Sequence, residues 1–141
     1  RCLEINIFLK EQQIMSIINF LLKKFGIEKI IDPKISQLTP GNFIKFNYIC
    51  NENKISIDDD LIKNLEILLN LFKKDKNTIY IDMMLFLTDN YFNNLQNRNS
   101  LSNKKIVEYK SFVFENINKF FLYNLNQNAF LNNVNNKINV E

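Results

Sequence analysis

Histidine and tryptophan are absent from this chain, and glycine, proline and cysteine occur only twice each. Each shortage narrows what the protein can do. Without histidine there is no side chain whose unperturbed titration falls near neutral pH, so general acid–base work and transition-metal binding lose their commonest residue. Two glycines leave no material for a glycine-rich phosphate loop, and no nucleophile-elbow pattern occurs. Cys2 and Cys50 stand far apart with no metal-ligand spacing, which argues against a zinc site and a disulfide framework and fits a reducing cytosolic setting. The most apolar stretch, residues 14–31, is interrupted by Lys23-Lys24 and Glu28-Lys29, so no run is long enough to span a bilayer. No charged-then-apolar secretory signal is visible. The chain opens on Arg1 rather than Met, and we expect it to be part of something longer. No catalysis, metal or cofactor is expected.

What is present is bulk apolar material on an unusual background. Hydrophobic residues make up 46% of 141 residues, with 13 Phe and 5 Tyr, enough for a packed core. Asparagine, lysine and isoleucine are abundant and Ala129 is the single alanine, a bias that points to an AT-rich coding genome, so these residue types carry little weight as functional evidence. The net charge of +3 comes from 18 basic and 15 acidic residues. The lysines fall in scattered pairs (Lys23-Lys24, Lys73-Lys74, Lys104-Lys105) with acids nearby, which reads as a solvated surface and not as a nucleic-acid footprint.

Residues 10–25 place Ile14, Ile17, Ile18, Leu21, Leu22 and Phe25 on one side of a helix, with Glu11, Gln12, Asn19, Lys23 and Lys24 on the other and Gly26 at the C-cap. Pro33 and the Thr39-Pro40-Gly41 turn predict a mostly looped connection over residues 27–41, followed by a helix from Asn42 that turns Phe43, Phe46 and Ile49 inward. Three later segments share one form: a polar turn, two or three alternating apolar residues, then an amphipathic helix. Ile55 and Ile57 precede Asp58-Asp59-Asp60 and a helix bearing Leu61, Leu65, Leu68 and Phe72, where the aspartates suit a helix N-terminus better than a metal site. Ile79 and Ile81 precede Asp82, Leu85, Phe86, Phe92 and Leu95. Ile106-Val107-Glu108-Tyr109 precede Phe112, Val113, Ile117, Phe120 and Phe121. From Asn124 the chain is Asn-rich with sparse Phe130, Leu131 and Val134. These features predict a single helical domain over residues 1–123, in one lobe or two small ones, and a weakly ordered tail over 124–141.

The repeated unit resembles half of an EF-hand, in which an Ile or Val at the eighth loop position pairs with its sister loop and a hydrophobic residue follows five positions on. Ile57/Ile62, Ile81/Phe86 and Val107/Phe112 have that relation, and LTDNYFNNLQNRNSLSNKKIVEYKSFV, residues 87–113, is similar to the last hand of calmodulin and the myosin light chains. The resemblance implies a mainly α fold, a bundle of degenerate helix–loop–helix units joined by very short β-bridges at Ile57, Ile81 and Val107. Calcium ligation needs oxygen ligands and a bidentate Glu at position 12. Ser111, Leu61 and Leu85 stand there instead, with Lys104, Lys54, Lys74 and Lys76 at other ligand positions, so the implied hands are metal-free. Proteins of this kind grip a long amphipathic helix in an apolar groove. The resemblance therefore implies a calcium-independent, light-chain-like module, cytoplasmic and cytoskeleton-associated. Its partner would be a helical segment such as a myosin heavy-chain neck, with Met83, Phe86, Phe92, Phe112 and Phe121 as groove candidates. For each of these residues an ordinary core position is the simpler reading.

Two alternatives stay open. Residues 14–46, with IINFLLKKFG, Asp32-Pro33-Lys34, Leu38-Thr39-Pro40 and an aromatic helix from Phe43, resemble a calponin-homology domain, a fold that can bind microtubules through surface lysines; the tryptophan usual in that fold is missing. The other alternative is a lineage-specific helical scaffold subunit of a larger assembly.

Overall fold

The computed structural model describes residues 9–32, 38–57, 60–98 and 102–138, and these are mainly helical. The chain divides into two compact units, Arg1–Ile55 and Ser56–Glu141.

The first unit is a helical hairpin. α1 (Glu11–Phe25) ends on Gly26, whose positive φ of 63° lets the chain turn back while its N–H and that of Ile27 satisfy the carbonyls of the last turn. α2 (Pro40–Asn53) starts where the Thr39-Pro40 pair predicts a turn. The Thr39 hydroxyl accepts from the Asn42 N–H at 3.3 Å, and Pro40 takes the first helical position, where its missing N–H costs nothing. Phe43, Phe46 and Ile49 are buried as their spacing requires, with Ile18, Leu22, Ile31 and Ile55.

Two asparagines hold the connection to α2. Asn47 Oδ1 accepts from the backbone N–H groups of Ile30 (2.7 Å) and Ile31 (3.0 Å), while its Nδ2 donates to the Phe43 carbonyl (2.8 Å). One turn later Asn51 Oδ1 accepts from the Glu28 N–H (3.2 Å) and its Nδ2 donates to the Glu28 carbonyl (2.9 Å). The amide side chain thus replaces the sheet partner that this extended segment lacks. Asn47 is fully buried, so Asn47→Ala leaves interior backbone donors unpaired, at about 1–3 kcal/mol each. Urea denaturation should show that loss, and a smaller one for Asn51→Ala, whose bonds to Glu28 are exposed.

The second unit is a four-helix bundle of α3 (Leu61–Asp75), α4 (Ile79–Asn97), α5 (Asn103–Tyr123) and α6 (Gln127–Ile138). Each helix packs on the next, and α6 closes the ring against α3. Cross-helix contacts run in mirrored order. Asp75 meets Tyr80 across the α3–α4 turn, Lys110 pairs with Asp89 between α4 and α5, and between α5 and α6 Phe120, Asn116 and Glu108 meet Phe130, Asn133 and Lys137 in turn. Successive helices are therefore antiparallel, the arrangement that short connections favour. Leu65, Leu68, Leu69, Met83, Met84, Phe92, Val113, Ile117, Phe120 and Val134 fill the interior.

Short polar side chains start three of these helices: Asp60 for α3 (accepting from the Ile62 N–H at 2.9 Å), Ser102 for α5, and Asn126 for α6 (accepting from Asn128 and Ala129). Asp58 and Asp59, expected to share the α3 terminus, lie outside the described residues. With glycine so scarce, Lys54, Lys76 and Asn124 adopt the left-handed cap conformation themselves.

Three expectations are corrected. Among the described residues there is no strand, and none of the proposed β-bridge residues pairs: Ile57 sits half-buried in a turn, Ile81 is buried inside α4, and Val107 is an exposed residue of α5. The alternation at 79–81 and 106–109 belongs to helices, since Ile79 opens α4 and Ile106 lies in the first turn of α5. α4 packs on both α3 and α5, so its buried stripe is wide enough to take residues two apart. In α5, Ile106, Tyr109, Val113, Ile117 and Phe120 form a continuous helical series that absorbs the supposed strand. The third correction concerns the tail. Gln127–Ile138 is a helix that buries Phe130, Leu131 and Val134, with Gln127 bonded to Asn70 of α3 at 3.0 Å.

Candidate partner-binding surface

The loop positions that an EF-hand would use do not converge. Around Val107, Ser102 caps α5 while Lys104, Glu108 and Ser111 are spread along that helix, and Ser100 is outside the described residues. Around Ile57, Cys50 is buried in α2 and Lys54 is a C-cap. Around Ile81, Lys74 ends α3, Lys76 caps it, and Asp82 and Leu85 belong to α4. No group of three or more His, Cys, Asp or Glu side chains able to hold a metal ion occurs among the described residues. Burial pushes the Cys50 thiol up to about 12, far from the thiolate form that reacts or ligates.

The five groove candidates do not line one surface. Met83 and Phe92 are fully buried in the bundle, with the Tyr91 ring edge-on to Phe92 at 5.3 Å. Phe86 and Phe112 are half-buried, and the Lys137 ammonium lies 5.7 Å from the Phe112 ring centroid. Phe121 is exposed, resting edge-on against Phe72 at 6.0 Å.

Exposed apolar side chains instead gather in two places. One is the end of α5, where Leu122 (68% exposed) and Tyr123 (71%) stand beside Phe121 and Leu125. Lys73, Lys74 and Lys76 at the end of α3 adjoin it through Phe72, over whose ring the Lys76 ammonium lies at 5.3 Å. The other is α1. Its apolar side is wider than α2 covers: Ile18 and Leu22 are buried, Ile14 and Leu21 half-buried, and Ile17, Phe20 (64%) and Phe25 (60%) exposed. Phe20 was missed by the sequence reading because it flanks the apolar stripe instead of lying on its centre line. Lys24 bridges the two exposed rings, 6.0 Å from the centroid of Phe20 and 5.7 Å from that of Phe25.

A cross-helix ion pair joins α5 to α6. Lys137 donates to Glu108 at 2.7 Å, which lowers the Glu108 carboxyl below its ordinary value and raises the Lys137 ammonium above its own. No helix among the described residues is long and apolar enough to cross a membrane.

Comparison with protein-family models, curated proteins and solved structures finds no match to this chain.

Proposed function

We propose that this chain is a non-catalytic protein-binding module that holds an amphipathic helix of another protein without calcium, working in the cytoplasm in association with the cytoskeleton. The observation that carries the reading is the placement of large apolar side chains. Two helical surfaces keep Phe, Leu, Ile and Tyr side chains in water beside lysines, although the same sequence supplies enough apolar residues to fill two cores. Apolar patches of this sort mark docking surfaces in soluble proteins, and a helical partner covers them through residues spaced three and four apart. A heavy-chain neck helix, the partner that the light-chain resemblance implies, is the first to try.

The test is affinity purification of the full chain, identification of the bound proteins, and reconstitution with the purified partner. A partner that binds only the folded state should raise the melting temperature in step with its concentration. Sedimentation with microtubules, and no helical partner that shifts melting, would replace this reading with the calponin-homology one.

A further inference from the structure

Along α1 the residues Lys10, Ile14, Ile17, Leu21 and Lys24 follow one another at steps of four, three, four and three, with Lys10 as the N-cap. At 3.6 residues per turn that series runs straight along one face. Its centre is aliphatic, Phe20 stands beside it, and each end carries a lysine. The contact of the Lys24 ammonium with the Phe20 ring places the two on the same side. The nearest helical carboxylate, Glu11, falls well round the helix, towards the side that buries Ile18 and Leu22. Lys10 and Lys24 are exposed and make no ion pair among the described residues. The Gln13 side chain, also on this side, is engaged with the Lys10 backbone N–H at 2.8 Å.

We infer that this face of α1 is the docking surface for an acidic amphipathic helix of another protein. The inference rests on the helix-holding function proposed above and specifies its site and the chemistry of its partner. Charge decides between occupants. A second copy of the same face would bring lysine-ended stripes together, with no carboxylate on either to answer them. A partner bearing carboxylates at both ends of a short aliphatic stripe answers both lysines at once. The separation of Lys10 and Lys24 sets the register: the partner's two acidic positions should stand about fourteen residues apart, roughly 21 Å of helix, with Leu, Ile or Val on the same face between them. The α5 end serves this mode less well, because Phe121, Leu122 and Tyr123 are consecutive and radiate around the helix instead of forming a stripe.

The experiment uses the full chain and two synthetic helices that share one aliphatic stripe and differ only in carrying glutamates or lysines at its two ends. Binding is read by fluorescence anisotropy. The glutamate helix should bind, and the lysine helix should bind at least about fivefold more weakly. The double variant Lys10→Glu/Lys24→Glu should reverse that preference, a result that mere unfolding cannot produce. Phe20→Ser should weaken the glutamate helix about tenfold or more while leaving the melting temperature nearly unchanged, since the ring is exposed. Equal binding of both helices, or a preference that survives the charge reversal, overturns the inference. So does concentration-dependent dimerisation abolished by Phe20→Ser, which would assign the face to a second copy, or binding to phosphatidylserine vesicles with no binding of either helix. A natural helical partner whose affinity is unmoved by Phe20→Ser but lost in Leu122→Ser sinks the α1 site and leaves the proposed function standing.

Discussion

Phe92→Ala is expected to cost about 3–5 kcal/mol of folding stability. The side chain has no exposed surface, sits in the second half of α4, the helix that packs on both α3 and α5, and holds the Tyr91 ring against its own. Removing it leaves a cavity that helices packed on both sides cannot close, and the loss is a large share of the 5–15 kcal/mol typical of a whole domain. With no tryptophan in the chain, tyrosine fluorescence follows unfolding, and four of the five tyrosines (Tyr80, Tyr91, Tyr109 and Tyr123) report on the bundle. Phe112→Ala is the matched comparison. That ring is half-buried beneath Lys137, so its removal should cost about 1–2 kcal/mol. Equal losses for the two substitutions would mean that the bundle does not bury Phe92 as described.

The contrast between these two phenylalanines shows what residue spacing conveys and where it stops. Spacing of three and four residues located the inward sides of α2 and α3 correctly, because Phe43, Phe46 and Ile49, and Leu61, Leu65, Leu68 and Phe72, each extend over more than one turn. Punctuation by Gly26 and Asp60 gave helix ends, because each satisfies backbone groups that a helix terminus leaves open, whereas Thr39-Pro40-Gly41, expected as a turn before a helix from Asn42, is the N-cap and first residues of α2 itself. Alternation over two or three residues conveyed little. In a chain rich in isoleucine, Ile79 and Ile81 match a strand as well as the edges of a helix buried on two sides.

Asparagine was the costlier misreading. A coding bias explains why it is common, yet it does not decide where each one sits. Asn47 and Asn51 fasten a loop, Asn126 starts a helix, and Asn70 and Asn116 accept bonds from α6. Nothing in the sequence separates these from the solvated asparagines around them, since their roles depend on which backbone groups the fold leaves unpaired. The exposed α1 face was hidden for the opposite reason. A single apolar side looks the same in sequence whether one neighbour covers all of it or, as here, only Ile18 and Leu22.

The Asn-rich C-terminal segment offers the other large effect. Val134→Asp puts a carboxylate at a fully buried position of α6, in the helix that closes the bundle against α3 and α5. An ion there cannot keep its water and has no partner, so the substitution should cost at least about 3–5 kcal/mol and release α6 or unfold the bundle. A weakly ordered tail would tolerate it without loss. Asn132→Asp, on the exposed side of the same helix, controls for the change in helix propensity and net charge. The pH dependence of the difference between the two variants identifies the cause. Burial raises the folded-state pKa of the new carboxyl above its unfolded value of about 3.9. Below that unfolded value the group is neutral in both states and the ionic penalty vanishes; the penalty then grows as pH rises towards the folded pKa and is complete above it. The excess destabilisation of Val134→Asp over Asn132→Asp should therefore shrink as pH falls towards 4. The native Glu108–Lys137 pair weakens over the same acid range in both variants and cancels in the comparison. An excess that is the same at pH 4 and pH 7 would trace the loss to shape alone, and no excess at all would mean that α6 is not the closing helix of the bundle.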